Sequence, residues 1–283
     1  MAYIIKPCED CDVEFIWEKG FEAVPAKEKA KQELLVYKVV DVQGAIIGGC
    51  VLDIDEMKIA EVDRLWVDAR YRNLGIGSAL IRRAEQEARE KGCRSIVNTY
   101  IFDFQAAKSL FERLGYRHIG TVRDWPKGYE SYTLIKKLDS CWSTLPIVQD
   151  CFEIKPGSEE DGKIIADRLE EYNRSFAPRK HVYLDINRKI VDDKGAMIAG
   201  CIAGISGWDT LHIDVFWVDD AYCSSNIGSY LLGEIEHKAK EKGAYLSKAS
   251  GMELQAVFFK KHGYEVNTVF EDQPKWYALH KHL

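Results

Sequence analysis

A chain of 283 residues, 46% of them apolar, with a net charge of −6, suits two domains of roughly 140 residues each. No stretch approaches the run of about 20 apolar residues that a membrane span needs. The acidic balance argues against nucleic acid as a partner, since that calls for a basic face.

The opening MAYIIKPCED lacks the basic and long apolar regions of a signal peptide, so it reads as a first strand of a cytoplasmic protein. Eight cysteines are scattered at 8, 11, 50, 93, 141, 151, 201 and 223. Only Cys8 and Cys11 form a C-x-x-C, without the second ligand pair of a zinc site, so no metal is expected. Helical stretches follow the first strand around 11–20 and 26–34. Residues 35–42 and 45–54 alternate apolar and polar about Gly44, the pattern of a hairpin. Residues 58–67 read as a further strand. Ile76, Leu80, Ile81, Ala84 and Ala88 then give 75–91 a helical period, with Gly92 as its C-terminal stop. A strand at 94–102, a helix at 104–114 and strands at 116–122 and 130–138 complete a mixed α/β lobe.

The lobe then recurs. GAIIGGC at 44–50 returns as GAMIAGC at 195–201, and WVDARYRNLGIGSALI at 66–81 returns as WVDDAYCSSNIGSYLL at 217–232. YIIKP (3–7) matches FEIKP (152–156), ERLGY (112–116) matches KKHGY (260–264), and YTLIKKL (132–138) matches YALHKHL (277–283). These matches keep their order along the chain, which defines an internal repeat. The expected division is a lobe at 1–138, a linker at 139–150 and a second lobe at 151–283.

Between strand 58–67 and helix 75–91 lies Arg72-Asn73-Leu74-Gly75-Ile76-Gly77. Two glycines permit a tight turn and close approach of backbone to a ligand, and the unpaired amides of a helix's first turn attract phosphate oxygens. A bare G-x-G is equally consistent with close strand–helix packing. It is neither a P-loop nor a dinucleotide fingerprint, since Leu80 stands where the third glycine belongs.

The spacing Arg-x-x-Gly-x-Gly after a strand ending Leu65-Trp66-Val67 resembles the acetyl-coenzyme-A loop of the GNAT superfamily of N-acetyltransferases. FQAAKSLFERLGY at 104–116 is similar to that superfamily's second cofactor-side helix. The resemblance implies a tandem of two GNAT lobes, each a splayed mixed sheet with helices on both faces. It also implies backbone amides of Arg72, Asn73, Leu74, Gly75, Ile76, Gly77 and Ser78 on the pyrophosphate, and backbone groups of Trp66 and Val67 on the pantetheine arm. Acetyl-CoA is then the cosubstrate and a primary amine of a small molecule or peptide the acceptor. In the second lobe Cys223 replaces the arginine and Asn226 the first glycine. Asn tolerates left-handed backbone, so the turn is expected to survive there while cofactor binding is lost.

Attack by an amine on a thioester needs a base. Glu61, eleven residues before Arg72, stands where several GNAT enzymes place theirs, and Asp63 is the runner-up. Being two apart on a strand, the two are expected on one face. The second lobe carries His212 and Asp214 in their places. The family's usual tyrosine acid is replaced by Phe111, and by Phe259 in the second copy. Tyr100, Tyr116 and Tyr132 are substitutes that nothing in the spacing selects. The resemblance puts acceptor entry near 15–30 and 123–132, where Trp17, Trp125 and Tyr129 are either a ligand wall or packing against the second lobe. The alternative function is a non-catalytic acyl-CoA sensor, favoured by the missing tyrosine.

Overall fold

A computed structural model describes residues 3–20, 33–55, 58–102, 105–138, 153–223, 225–271 and 275–283. Its two compact units do not follow the repeat. A central unit spans Ala26–Pro178, and a split unit combines Met1–Pro25 with Arg179–Leu283.

The first elements, strand β1 (Ile4–Pro7) and helix α1 (Asp10–Gly20), belong to the split unit. The central unit then runs β2 (Glu33–Val40), β3 (Ile46–Ile54), β4 (Ile59–Val67), α2 (Ile76–Glu90), β5 (Ser95–Phe102), α3 (Gln105–Arg113), β6 (Arg117–Val122), β7 (Ser131–Lys137), β8 (Ile154–Pro156) and α4 (Glu159–Arg174). The split unit resumes with β9 (Leu184–Asp185), β10 (Arg188–Val191), β11 (Met197–Ser206), β12 (Thr210–Val218), α5 (Ile227–Glu241), β13 (Leu246–Gly251), α6 (Glu253–Lys261), β14 (Glu265–Phe270) and β15 (Trp276–His282). Most elements lie where the pattern predicts them. Glu33 and Leu34 differ: they begin a strand, as the β-branched and aromatic run ELLVYKVV favours. The rest of the expected helix at 26–34, and the expected linker 139–150, lie outside the described residues.

Both sheets are mixed. The central sheet is ordered β6-β7-β5-β4-β3-β2-β8, and the split sheet β1-β10-β11-β12-β13-β15-β14, with β9 also on β11. The opening strand and helix have therefore changed places. β8 of the second repeat edges the first repeat's sheet, with Lys155 opposite Lys38. Conversely, β1 of the first repeat edges the second repeat's sheet, with Lys6 opposite Lys189.

The exchange is reciprocal down to single contacts. On α4, Asp161 pairs with Lys38 of β2 at 2.7 Å and closes a capping box with Ser158. On α1, Asp12 pairs with Lys189 of β10 at 2.5 Å. Ile165 of α4 is fully buried over Gly49, where an added Cβ would lie 2.2 Å from its Cδ1. Ile16 of α1 lies over Gly200 in the same way, at 2.4 Å. Burying an Ile side chain stabilises by roughly 1.5–3 kcal/mol. The neighbouring Gly48 faces the opposite side of its sheet, where an added Cβ would lie 2.9 Å from Ile76 Cγ2 of α2. Adjacent glycines thus let helices pack closely on both faces of β3.

α2 buries the predicted stripe of Ile76, Leu80, Ile81, Ala84 and Ala88, and Gly92 follows it with φ +79°. Glu85, 1% exposed, receives Lys136 Nζ at 2.7 and 2.8 Å beside Tyr116. Glu236, Lys281 and Tyr264 repeat the arrangement in the split unit. Among the described residues no helix is long and apolar enough to cross a membrane.

Candidate functional site

The site follows from a strand that parts from both neighbours. β5 runs parallel to β4 only as far as Glu61 opposite Val97. Against β7 it loses register between Asn98 and Ile101. Buried Asn98 stands at the parting, its Nδ2 donating to the Val62 carbonyl at 2.6 Å. In the split unit Ala249 holds the matching position. There the β12–β13 ladder continues to Ile213 opposite Ala249, and β13 stays in register with β15 through Gly251.

A cleft of about 480 Å³ opens at the parting, walled by β4, β5, α3 and α4, with the N-terminus of α2 at its mouth. Of the residues singled out from the sequence, Trp66, Val67, Arg72, Asn73, Gly75, Ile76, Gly77 and Ser78 line it; Leu74 is not among its lining and stands exposed. Gly75 caps α2 with φ +88° and no side-chain hydrogen bond to the first turn. A Cβ there would meet nothing within 4 Å, so the approach to the amides of Ile76, Gly77 and Ser78 is open. At Gly77 a Cβ would meet Leu110 Cδ2 at 3.1 Å, so this second glycine serves packing. Arg72 donates from Nε to the Val67 carbonyl at 3.0 Å, and its guanidinium lies 4.5 Å from the centre of the Tyr172 ring. A cationic group beside open first-turn amides fits a pyrophosphate.

Glu61 and Asp63 do not share a face in the way simple alternation requires. β4 pairs Val51 with Arg64 but Leu52 with Val62, so Asp63 is the extra residue of a bulge. Ala60 and Val62 face the core before it, and Leu65 and Val67 after it. Asp63 therefore projects into the cleft as an exposed carboxylate, ion-paired with Arg64 at 2.7 Å. Glu61 lies half-buried beside the cleft and accepts a hydrogen bond from the hydroxyl of Thr99, which does line it. Burial raises the Glu61 pKa, as do the charges of Asp63 and Asp53, against the opposing hydrogen bond from Thr99. Partial desolvation by the cleft walls raises Asp63, as does the charge of Asp53, with Arg64 opposing.

Phe111 lines the cleft and stacks edge-on against Tyr116 at 4.9 Å, so no proton donor occupies that position. Tyr116 is buried with its pKa far above the ordinary value, chiefly through desolvation. Tyr132 donates to Glu130 at 2.8 Å and is no part of the cleft lining. The side chain of Tyr100, and Phe104, lie outside the described residues. Trp17 belongs to α1, which packs on β12 of the split unit, and not to the wall of this cleft. Trp125 is buried, and Tyr129 donates to the Phe176 carbonyl at 3.1 Å. Tyr129 thus reaches the segment after α4, and the Trp125 N–H donates to the Tyr129 carbonyl at 2.7 Å. The wall is built instead by Tyr71, Arg113 and three residues of α4: Leu169, Tyr172 and Asn173. Chain order conceals these last three, because α4 belongs to the other repeat.

The matching place in the split unit carries different side chains. Asn226 caps α5 with φ +61°, so the left-handed turn survives as expected. Cys223 stands for Arg72, its thiol 3.9 Å from the Val218 carbonyl. Phe216 and Phe258 replace Leu65 and Leu110, with ring centres 5.3 Å apart. Ser229, the counterpart of Ser78, is hydrogen-bonded to His262 at 2.9 Å. His212, in the place of Glu61, is held neutral by burial and by Lys248, its pKa pushed down to about 3. Asp214 repeats the bulge, since Ile202 pairs with Val215 and Ala203 with Ile213, and accepts from Tyr183 at 3.1 Å. Among the described residues Glu9, Cys11 and Asp12 approach one another within 4.8 Å, but Asp12 is already engaged by Lys189.

Residues 6–116 match the acetyltransferase (GNAT) family and residues 178–266 a GNAT acetyltransferase domain. The blasticidin-S acetyltransferase of Streptomyces morookaense is 38% identical over 122 residues, which are 42% of this chain and 87% of that protein. An uncharacterised N-acetyltransferase of Chlorobaculum tepidum is 33% identical over 81 residues, 29% of this chain and 49% of that one. Among solved structures, an acetyltransferase of Bacillus cereus aligns with TM-score 0.42 and 32% identity over 46% of this chain and 97% of its own.

Proposed function

This chain belongs to the GNAT acetyltransferase family, and from that premise we propose that its central unit moves an acetyl group from acetyl-CoA to a primary amine of a small molecule or peptide. The observation that carries this reading is the parting of β5 from both neighbours, which opens the cleft beside Arg72 and the first turn of α2. The split unit keeps the fold but has Cys223 in place of Arg72 and a Phe216–Phe258 contact in place of Leu65 and Leu110, so we assign it no cofactor. The buried free thiols Cys50, Cys93 and Cys201 sit in the cores as small apolar residues and support a cytoplasmic setting.

Bound there, the thioester supplies the acetyl group. Arg72 and the amides of Ile76, Gly77 and Ser78 hold the phosphates. Asp63, exposed in the cleft, attracts an acceptor that arrives as a cation. Free alkylamines have a pKa near that of lysine, about 10.4, so the amine must lose a proton before attack. Glu61, with its raised pKa, takes that proton, and Thr99 holds the carboxylate in place. Phe111 donates nothing, but a thiol of pKa around 8.5 leaves tolerably as thiolate. That missing donor is what favours the second reading, an acyl-CoA sensor without turnover.

Calorimetric titration with acetyl-CoA is expected to give one site per chain, abolished by Gly75→Glu, which fills the backbone approach and adds a like charge. Two sites, or binding that survives this substitution, would move the cofactor elsewhere. Thiol release with polyamines, aminoglycosides, blasticidin S, amino acids and peptide N-termini separates an enzyme from a sensor. A sensor binds and releases none.

A further inference from the structure

The cofactor cleft of the first repeat is walled by a helix that the sequence assigns to the second. Of the three α4 residues in that wall, Tyr172 is the one that touches a predicted phosphate ligand. Its ring centre lies 4.5 Å from the Arg72 guanidinium carbon, while Arg72 Nε is tied to the Val67 carbonyl at 3.0 Å. A long, exposed arginine is thus pinned at two points, one at its edge and one on its face, before any anion arrives. Arginine carries large rotamer entropy, much of which an unpinned side chain loses only on binding. The position of Tyr172 is itself fixed. Ile165, about two turns earlier on α4, is fully buried over Gly49, and Asp161 is paired with Lys38. The split unit offers the contrast: Cys223 stands in place of Arg72 and leaves no guanidinium for an aromatic face to hold.

We propose that Tyr172 is a positioning residue which the second repeat lends to the first repeat's site, holding the Arg72 guanidinium over the cleft by a cation–π contact so that it is preorganised for the phosphates of acetyl-CoA. The inference rests on the function proposed above. It makes α4 part of the active site, and the second repeat more than a scaffold.

The test is a double-mutant cycle in the full chain, read by acetyl-CoA affinity and by the separation of KM from kcat. Tyr172→Ala is expected to weaken acetyl-CoA binding and raise its KM by about 3- to 30-fold, the range of a partly exposed cation–π contact, with kcat within about twofold. In an Arg72→Ala background the same change is expected to have almost no effect, because its partner is gone. Tyr172→Phe keeps the ring face and is expected to restore affinity, whereas Tyr172→Leu, which keeps the apolar volume, is not. Tyr172→Leu also replaces the alanine variant should the latter melt early. An equal loss in both backgrounds, a phenylalanine variant as weak as the alanine one, or no loss at all would overturn the assignment. Wild-type protein that fails to bind acetyl-CoA would instead bring down the functional reading, and this inference with it.

Discussion

Glu61 shows how one residue's environment sets both chemistry and cost. Its pKa is raised by burial and by two neighbouring carboxylates, so the base form fills only above the usual carboxylate range near 4.3. The low-pH limb of kcat/KM is therefore expected to lie above that range. Glu61→Gln should remove the limb and lower kcat/KM by about 10²–10⁴ at neutral pH, with less loss at high pH where free amine is abundant. The same shift means the folded state holds this proton more tightly than the unfolded state. Its contribution to stability is full below the unfolded pKa and is lost as pH rises through the folded one. Glu61→Gln should thus raise the melting temperature at pH 7 relative to wild type, and by less at pH 4. A variant inactive at every pH and no more stable would point to a structural role. His212 runs the opposite way. Its pKa is depressed to about 3 through burial and Lys248, so the unfolded chain binds the proton first as pH falls. As pH falls from about 6.5 towards 3, this group should therefore lower stability progressively. His212→Gln should flatten the acid limb of stability, as followed by urea melts across that window.

At the scale of elements, the sequence shows the helices and strands but not their partners. The Ile16–Gly200 and Ile165–Gly49 contacts decide those, because each glycine admits a side chain that any Cβ would displace. Removing a buried isoleucine side chain costs about 2–5 kcal/mol. Ile165→Ala is therefore expected to speed hydrogen exchange in Ile46–Ile54 and leave Met197–Ser206 protected. Ile16→Ala is expected to do the reverse. A layout that follows the repeat boundaries demands the opposite pairing, so one exchange experiment separates the two. The same scale explains why the sequence misjudged Asp63. Period-two alternation puts it beside Glu61, and only the strand pairing reveals the bulge that turns it into the cleft.

At the scale of the whole molecule, the exchange makes the first repeat's sequence a poor guide to what folds. A fragment of residues 1–138 keeps β1 and α1, which belong to the split unit, and lacks β8 and α4. Among the described residues, a fragment of residues 26–178 contains every strand of the central sheet and every residue lining the cleft. The longer-reaching fragment is expected to fold cooperatively and bind acetyl-CoA, and 1–138 to bind weakly or aggregate through its uncovered β2 edge. Equal binding by both would mean that β1 and α1 can take the places of β8 and α4.

That outcome turns on a real degeneracy. The repeat, the alternation of strands and helices, the glycine-opened turn at Arg72–Gly77 and its altered copy at Cys223–Gly228 are all legible in the residues, because each depends on local spacing and backbone freedom. The left-handed Asn226 belongs with them. The sequence could not say which sheet receives which opening strand and helix. YIIKP and FEIKP carry the same edge-strand pattern, and both helices offer an isoleucine and an aspartate to a glycine and a lysine. Nor could it show that Phe216 and Phe258 meet, or that Tyr172 reaches Arg72 from the other repeat. Those are contacts between residues distant in the chain, and only packing in three dimensions decides them.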